Sequence, residues 1–125
     1  MPLTSEQALE AVLRHFESLF PRTCSNCGRP FATLQDYIQL TTPIGLPVSF
    51  DAELDDWTTR EPIGSLAQAN CQCGSTLALG TDGMATEQRL ALLDWLRLEC
   101  QQRRVGPSVV LDGLRTAIRA AVLAA

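Results

Sequence analysis

Two short cysteine pairs constrain this 125-residue chain more than any other feature of its sequence. The first pair is Cys24 and Cys27, and the second is Cys71 and Cys73. A glycine directly follows each pair, and glycine readily takes the positive φ that a chain often needs when it turns around a metal ion. Four thiolates that meet at one point form the tetrahedral, closed ligand set of a structural zinc site. The sequence therefore predicts one Zn²⁺ per chain, bound by these four cysteines.

Two other uses of the cysteine pairs stay open. Iron accepts the same ligands, in a four-thiolate site or a small cluster, and the spacing does not exclude it. A redox dithiol at Cys24 and Cys27 is the other alternative, because reactive Cys-x2-Cys motifs gain a low thiol pKa at the start of a helix. Gly28 and Pro30 prevent such a helix from following directly, and redox chemistry leaves the second pair unexplained. The sequence therefore favours zinc.

Composition limits the class of protein and its compartment. Hydrophobic residues make up 46% of the chain, which is typical of a globular protein and argues against extensive disorder. No apolar run approaches the length that spans a bilayer, and the first residues lack the features of a signal peptide. We therefore expect a cytoplasmic protein with no membrane segment. In that compartment, clustered cysteines hold metal more often than they form disulfides.

The predicted elements indicate a single α+β domain. Its three parts are an N-terminal helix (1–21), a region that holds both cysteine pairs (22–82) and a C-terminal helical hairpin (83–125). Thr4 or Ser5 is expected to cap the first helix and Thr86 the third, while Ser108 begins the last one. Apolar residues at helical spacing predict one core shared by these three helices, with five central residues: Leu13, Phe16, Leu96, Leu114 and Ile118.

Four further residues receive local interpretations. Thr33 and Asp36 are spaced as a capping box for a short helix after the first cysteine pair. His15 is the only histidine, and it lies on the polar side of the first helix, where a solvated surface position is expected. Cys100 lies among leucines on the third helix and is interpreted as a small buried hydrophobe outside the metal site.

The cysteine motifs and the elements beside them resemble a zinc ribbon of the zinc-knuckle type. The motifs are Cys-x2-Cys-Gly at 24–28 and Cys-x-Cys-Gly at 71–74, and the second is followed by a predicted strand at 75–79. The first motif with Phe31 also resembles a zinc finger as far as Tyr37, but the histidines of a finger are missing beyond it. The ribbon resemblance covers about residues 22–80. It implies a ribbon with a long insertion between its cysteine pairs, and it implies fold alone, since ribbons serve many functions.

The insertion is expected to be irregular, with a brief strand at 48–50. Its acidic stretch at 51–61 is interpreted as a solvated loop, because no histidine stands beside it to suggest a metal site or a catalytic pair. Trp57 lies within this stretch. A tryptophan on a loop is either a core anchor or a contact for a partner, so Trp57 is a candidate partner contact.

Charge and the missing catalytic motifs guide the prediction of function. The net charge is −4, and an acidic chain is a poor general binder of phosphate backbones. Arg115 and Arg119 lie one helical turn apart and are candidate partner contacts. A nucleic-acid-binding regulator is therefore the alternative function. Gln102 and Asp112 break the helix-turn-helix pattern. The sequence therefore favours an ordinary helical hairpin with both arginines on its solvent face.

Neither a glycine-rich phosphate loop nor a nucleophile beside a histidine can be identified, and a closed four-cysteine site leaves no place for substrate. We therefore predict a non-enzymatic regulatory or protein-interaction module. Its partner is another protein or a second copy of the chain. The wide apolar arc of the helix that carries Trp95 makes this tryptophan, with Trp57, a candidate contact. A redox or iron-binding electron-transfer protein is the remaining alternative.

Overall fold

The structure is a computed structural model that describes residues 3–45, 65–81 and 83–124. Within these ranges lie four helices and two small antiparallel sheets, which confirms the predicted α+β class. Of the helices in these ranges, none has the length and apolar content needed to cross a bilayer. The predicted strand at 48–50, the acidic stretch at 51–61 and Trp57 lie outside the described residues.

Local capping signals explain the first two helices. Helix α1 spans Ser5–Ser18, and the Thr4 side chain accepts a hydrogen bond from the Gln7 backbone N–H at 3.1 Å. The Gln7 side chain accepts one in return from the Thr4 N–H at 2.9 Å, which completes a capping box. Helix α2 spans Leu34–Leu40, and its predicted cap is confirmed, because the Thr33 hydroxyl accepts from the Asp36 N–H.

The two C-terminal helices form the predicted hairpin. Helix α3 spans Thr86–Arg103, and helix α4 spans Pro107–Ala124. The prediction that Thr86 caps α3 was wrong, since Ala85 is the capping residue and provides no side-chain hydrogen bond. Arg104 ends α3 in the left-handed conformation, with φ 56°. Proline at the first position of α4 has no N–H to leave unpaired, so this helix begins one residue before Ser108, its expected start.

Short strands flank both cysteine pairs. Strands β1 (Arg22–Thr23) and β2 (Pro30–Phe31) form a two-stranded sheet around the first pair. Strands β3 (Thr42–Pro43), β4 (Ser65–Asn70) and β5 (Thr76–Gly80) form the second sheet, in the order β3-β4-β5. The second cysteine pair lies in the turn between β4 and β5, as the ribbon resemblance implies.

One cluster of buried residues joins the helices to the sheets. Four of the five predicted central residues are buried in it: Phe16, Leu96, Leu114 and Ile118. Leu13 is only partly buried, because it lines a surface groove between α1 and the end of α4. Cys24 and Cys71 belong to the same cluster, so one thiol of each pair is anchored in the core.

Candidate metal centre

The first cysteine pair is held in a tight turn between β1 and β2. The backbone N–H of Cys24 donates to the carbonyl oxygen of Arg29 at 2.9 Å, which closes the turn. Inside it, the N–H of Gly28 donates to the carbonyl oxygen of Cys24 at 2.8 Å. Gly28 has φ +79°, a conformation that side-chain-bearing residues rarely adopt. We refer to residues 24–29 as the first knuckle.

The second pair lies in a turn that closes in the same way with one residue fewer. The N–H of Cys71 donates to the carbonyl oxygen of Ser75, and the N–H of Gly74 donates to the carbonyl oxygen of Cys71, both at 2.8 Å. Gly74 has φ +93°. In both turns, the first cysteine bonds to the residue that follows the glycine. The shorter spacing of this second knuckle (residues 71–75) therefore still presents two thiols to one side of the chain.

The two knuckles bring their four sulfur atoms together. All four Sγ atoms lie within 4.8 Å of one another, and all four cysteines are free thiols. The Sγ atoms of Cys24 and Cys73 are 3.7 Å apart, as are those of Cys27 and Cys71. A metal ion with four tetrahedral bonds of about 2.3 Å to sulfur holds these sulfurs about 3.8 Å apart. The four thiols can therefore hold a metal ion without a large movement.

Two hydrogen bonds connect the two knuckles independently of any metal. The Asn26 side-chain amide lies 3.5 Å from the Cys73 sulfur, and the Arg29 guanidinium donates to the Gln72 side-chain oxygen at 2.8 Å. Behind the site, the Tyr37 hydroxyl donates to the carbonyl oxygen of Leu77 in β5 at 2.8 Å. The site is thus partly preorganised, which lowers the ordering cost of binding a ligand.

The local environment lowers the pKa of two of the thiols, Cys73 and Cys24, and raises the pKa of a third, Cys27. A hydrogen bond from the Asn26 amide, followed by bonds from the Ser75 hydroxyl and N–H, lowers the pKa of Cys73 to about 5. Backbone N–H groups of Cys27 and Asn26 lower the pKa of Cys24. The Arg29 N–H also favours the Cys27 thiolate, but desolvation and the other three thiols outweigh it and raise the pKa of Cys27 to about 11.

Four thiolates this close repel one another, so they cannot all be ionised at neutral pH without a cation among them. A bound divalent metal reverses this balance, because a coordinating thiol is deprotonated outright. The cluster therefore has the chemistry of a cation site whose occupation releases protons.

The arginines predicted as partner contacts lie on α4. The Arg115 guanidinium donates to the carbonyl oxygens of Ile44 and Gly45, at 3.5 and 2.9 Å, and forms an ion pair with Asp112 at 2.7 Å. Its side chain is 20% exposed, so the expected position on the solvent face was wrong. Arg119 is half-buried and lines a cavity beside α2 and β4.

The remaining predicted residues lie away from the sulfur cluster. Trp95 is 4% exposed, and its Nε1 lies 3.4 Å from the Ser5 hydroxyl, so it belongs to the core in the described structure. Cys100 is half-buried, and burial raises the pKa of its thiol. His15 is half-buried rather than solvated, because it packs against the backbone at Gly83.

Sequence reasoning missed the polar groups that support the site. Asn26 and Gln72 lie between the cysteines of their motifs, and only this position could have indicated a supporting role. The Tyr37 side chain is 4% exposed, and its hydroxyl reaches β5.

The resemblance to a zinc ribbon therefore rests on the two knuckles and their four clustered thiols. In comparisons across known proteins, the chain matches no protein-family model, no curated protein and no solved structure.

Proposed function

We propose that this chain binds one structural Zn²⁺ through Cys24, Cys27, Cys71 and Cys73, and that the zinc-held fold acts by binding another protein. The observation that carries the metal assignment is the mutual distance of the four sulfurs, all within 4.8 Å. Two sulfur–sulfur distances of 3.7 Å agree with the edge of a tetrahedron around a single ion.

The same distances favour a single ion over an iron–sulfur cluster. Such a cluster places bridging sulfides and several irons between its cysteines, which keeps the thiolates further apart than one ion does. Four thiolates around one ion are also a common structural zinc site. A mononuclear iron site uses the same geometry, so iron is distinguished from zinc by measurement.

Elemental analysis of protein purified without chelators or added metal tests the zinc assignment. We expect about one zinc and no stoichiometric iron per chain. Replacement of zinc by Co²⁺ should produce the visible absorption of a tetrahedral cobalt–thiolate site. A coloured preparation with one iron per chain, or a folded protein that binds neither Zn²⁺ nor Co²⁺, would overturn the assignment.

The closed ligand set supports a role in binding rather than catalysis. Four protein ligands leave no open position on zinc for water or substrate. A surface groove supports a protein as the partner: it lies between α1, the start of α2 and the end of α4, and its apolar lining residues include Leu13, Phe20, Ala121 and Val122. We call it the α1–α4 groove.

The end of α4 adds exposed apolar surface beside this groove. Ala121 is exposed and lines the groove, and Leu123 is 43% exposed. Ala121 and Val122 of the helix end line the groove, so two copies of the chain can place the same patch against each other in a two-fold interface. Self-association through the α1–α4 groove is therefore the form of protein binding that we propose.

Sedimentation velocity over a range of concentrations tests this role. We expect a reversible dimer, which Ala121→Glu weakens because it places a carboxylate on the groove surface. Val109→Glu is the matched control, since Val109 is 52% exposed near the start of α4 and does not line the groove. A monomer at every concentration, or equal effects of both variants, would overturn self-association through this groove while leaving the metal assignment untouched.

A further inference from the structure

A cavity of about 180 Å³ lies between α2, β3, β4 and α4, and none of the four clustered cysteines lines it. Its walls are mostly apolar and come from different parts of the chain. They include Phe16, Ile38, Ala69, Leu79 and Ile118, and each of these side chains is 6% exposed or less. An apolar cavity of about 150 Å³ accommodates benzene, so this one has room for a body of about six carbons.

The polar groups around the cavity are cationic or neutral. Arg119 lines it, and within the part of the chain that the structure describes it has no ion pair or hydrogen bond through its side chain. Arg115 also lines it, but its guanidinium is engaged by Asp112 and by two backbone carbonyls. Gln68 and Thr41 supply neutral polar groups. The described lining residues include no aspartate or glutamate.

We propose that this cavity binds a small monocarboxylic acid of about six carbons. The apolar walls take up the hydrocarbon, and Arg119 provides the charge-assisted hydrogen bonds for the carboxylate. A guanidinium presents paired N–H donors that match the two oxygens of a carboxylate. A few polar groups that orient a ligand in an otherwise apolar cavity are the usual arrangement of small-molecule sites.

The charge of the lining distinguishes among ligands of the same size. An amine of equal length would bring a further positive charge next to Arg119 and Arg115, with no described acidic lining residue to balance it. An alcohol would gain the apolar contacts but would lose the charge-assisted bonds to Arg119. The expected order of affinity is therefore carboxylate, then alcohol, then amine. This order does not depend on which metal the cysteines bind.

Titration followed by two-dimensional NMR of the ¹⁵N-labelled, metal-bound protein tests the proposal. The probes are hexanoate, hexanol and hexylammonium, each of which has six carbons in one unbranched chain. We expect hexanoate to shift the amide signals of Ile38, Ala69 and Ile118, around the cavity, and to bind more tightly than hexanol. Hexylammonium should bind most weakly. Binding of hexanol as tightly as hexanoate would overturn the proposed role of Arg119. Amide shifts confined to other surfaces would overturn the proposed site.

Substitution of Arg119 tests whether its charge contributes to ligand binding. Arg119→Gln should weaken hexanoate binding by about ten- to a hundredfold and leave hexanol binding within about twofold. Arg14→Gln is the control, because it removes the same charge from an exposed position on α1, where Arg14 pairs with Glu10. Equal weakening of hexanoate by both variants would indicate a general charge effect and would contradict the proposal.

Ala69→Leu fills the cavity from β4 and should abolish binding of both hexanoate and hexanol. Its thermal unfolding and its metal content are measured in parallel, so that a failure to fold is recognised. If this variant unfolds, Ile118→Phe provides a second filling substitution from α4. Unchanged hexanoate binding by a folded filling variant would place the ligand elsewhere and overturn the site.

Discussion

The Sγ atoms of Cys24 and Cys73 lie 3.7 Å apart, although 49 positions of sequence separate the two residues. Cys27 and Cys71 form a second pair at the same distance. Each contact joins one knuckle to the other, and each joins a buried cysteine to an exposed one. A metal ion at this point would crosslink the two sheets at the edge of the core, so its binding energy would contribute directly to folding.

Substitution of one buried ligand should therefore remove metal and stability together. We expect Cys71→Ser to lose the metal and most of its folding stability. Structural zinc sites in finger peptides contribute about 10–16 kcal/mol at neutral pH, which is comparable to the whole stability of a domain. Metal content per chain and thermal unfolding are the measurements. Cys100→Ser should retain both, because Cys100 lies outside the sulfur cluster. Full zinc stoichiometry in Cys71→Ser would contradict the four-ligand assignment.

Arg115 should contribute more to stability than an arginine in a similar ion pair on the surface. Arg115→Gln removes the donors to the carbonyl oxygens of Ile44 and Gly45, and we expect it to cost about 1–3 kcal/mol.

Arg97→Gln is the control, since Arg97 pairs with Asp94 at the same i,i+3 spacing but is 44% exposed, against 20% for Arg115. It should cost less than about 1 kcal/mol. The free energy of unfolding from urea titrations checks both variants, and equal losses would contradict a special role for Arg115.

Local signals explain what the sequence predicted well. The hydroxyl of Thr4 acts within a few residues of its own position, so the start of α1 follows from adjacent sequence. The knuckles are local in the same sense, because each closes through hydrogen bonds within six residues. The contact between the two knuckles was inferred from chemistry. A structural zinc site needs four ligands, and each knuckle supplies only two thiols.

Long-range contacts explain what the sequence did not predict. Arg115 bonds to the carbonyl oxygen of Gly45, 70 positions away, and carbonyl groups leave no signal in a sequence. Strand β3 has only two residues, too few for an alternating pattern, and it exists because it pairs with β4. Threonine is a residue type that often caps helices, but Thr86 is already part of α3, and Ala85 is the capping residue.

Two leucines of α3 provide a matched test of the predicted core. Leu96 is fully buried, whereas Leu90 is 41% exposed on the same helix. Leu96→Ala should reduce the free energy of unfolding by about 2–5 kcal/mol, since it removes buried methyl groups and leaves a cavity. Leu90→Ala should change it by less than about 1 kcal/mol. Chemical denaturation of both variants checks the packing, and similar losses in the two would mean that α3 does not face the core as described.

Tyr37 should titrate at unusually high pH and should destabilise the fold when it does. Burial raises the pKa of its hydroxyl from 10.0 to about 12, and the nearby Arg22 and Arg115 only partly offset this effect. The hydroxyl also donates to the carbonyl oxygen of Leu77, which a phenolate cannot do. Between these two pKa values, the folded state keeps the proton and the unfolded state loses it. This contribution to stability is therefore complete below pH 10 and is lost as the pH rises through about 12.

The rise of the Tyr37 pKa from 10.0 to about 12 corresponds to about 3 kcal/mol of stability. Tyr37 is the only tyrosine in the chain, so the ultraviolet absorbance of phenolate reports on it alone. We expect this absorbance to appear near pH 12 in the folded protein and near pH 10 in denaturant. Tyr37→Phe is the control, and it should remove this part of the alkaline loss of stability. A midpoint near pH 10 in the folded protein would mean that the hydroxyl is not buried against β5.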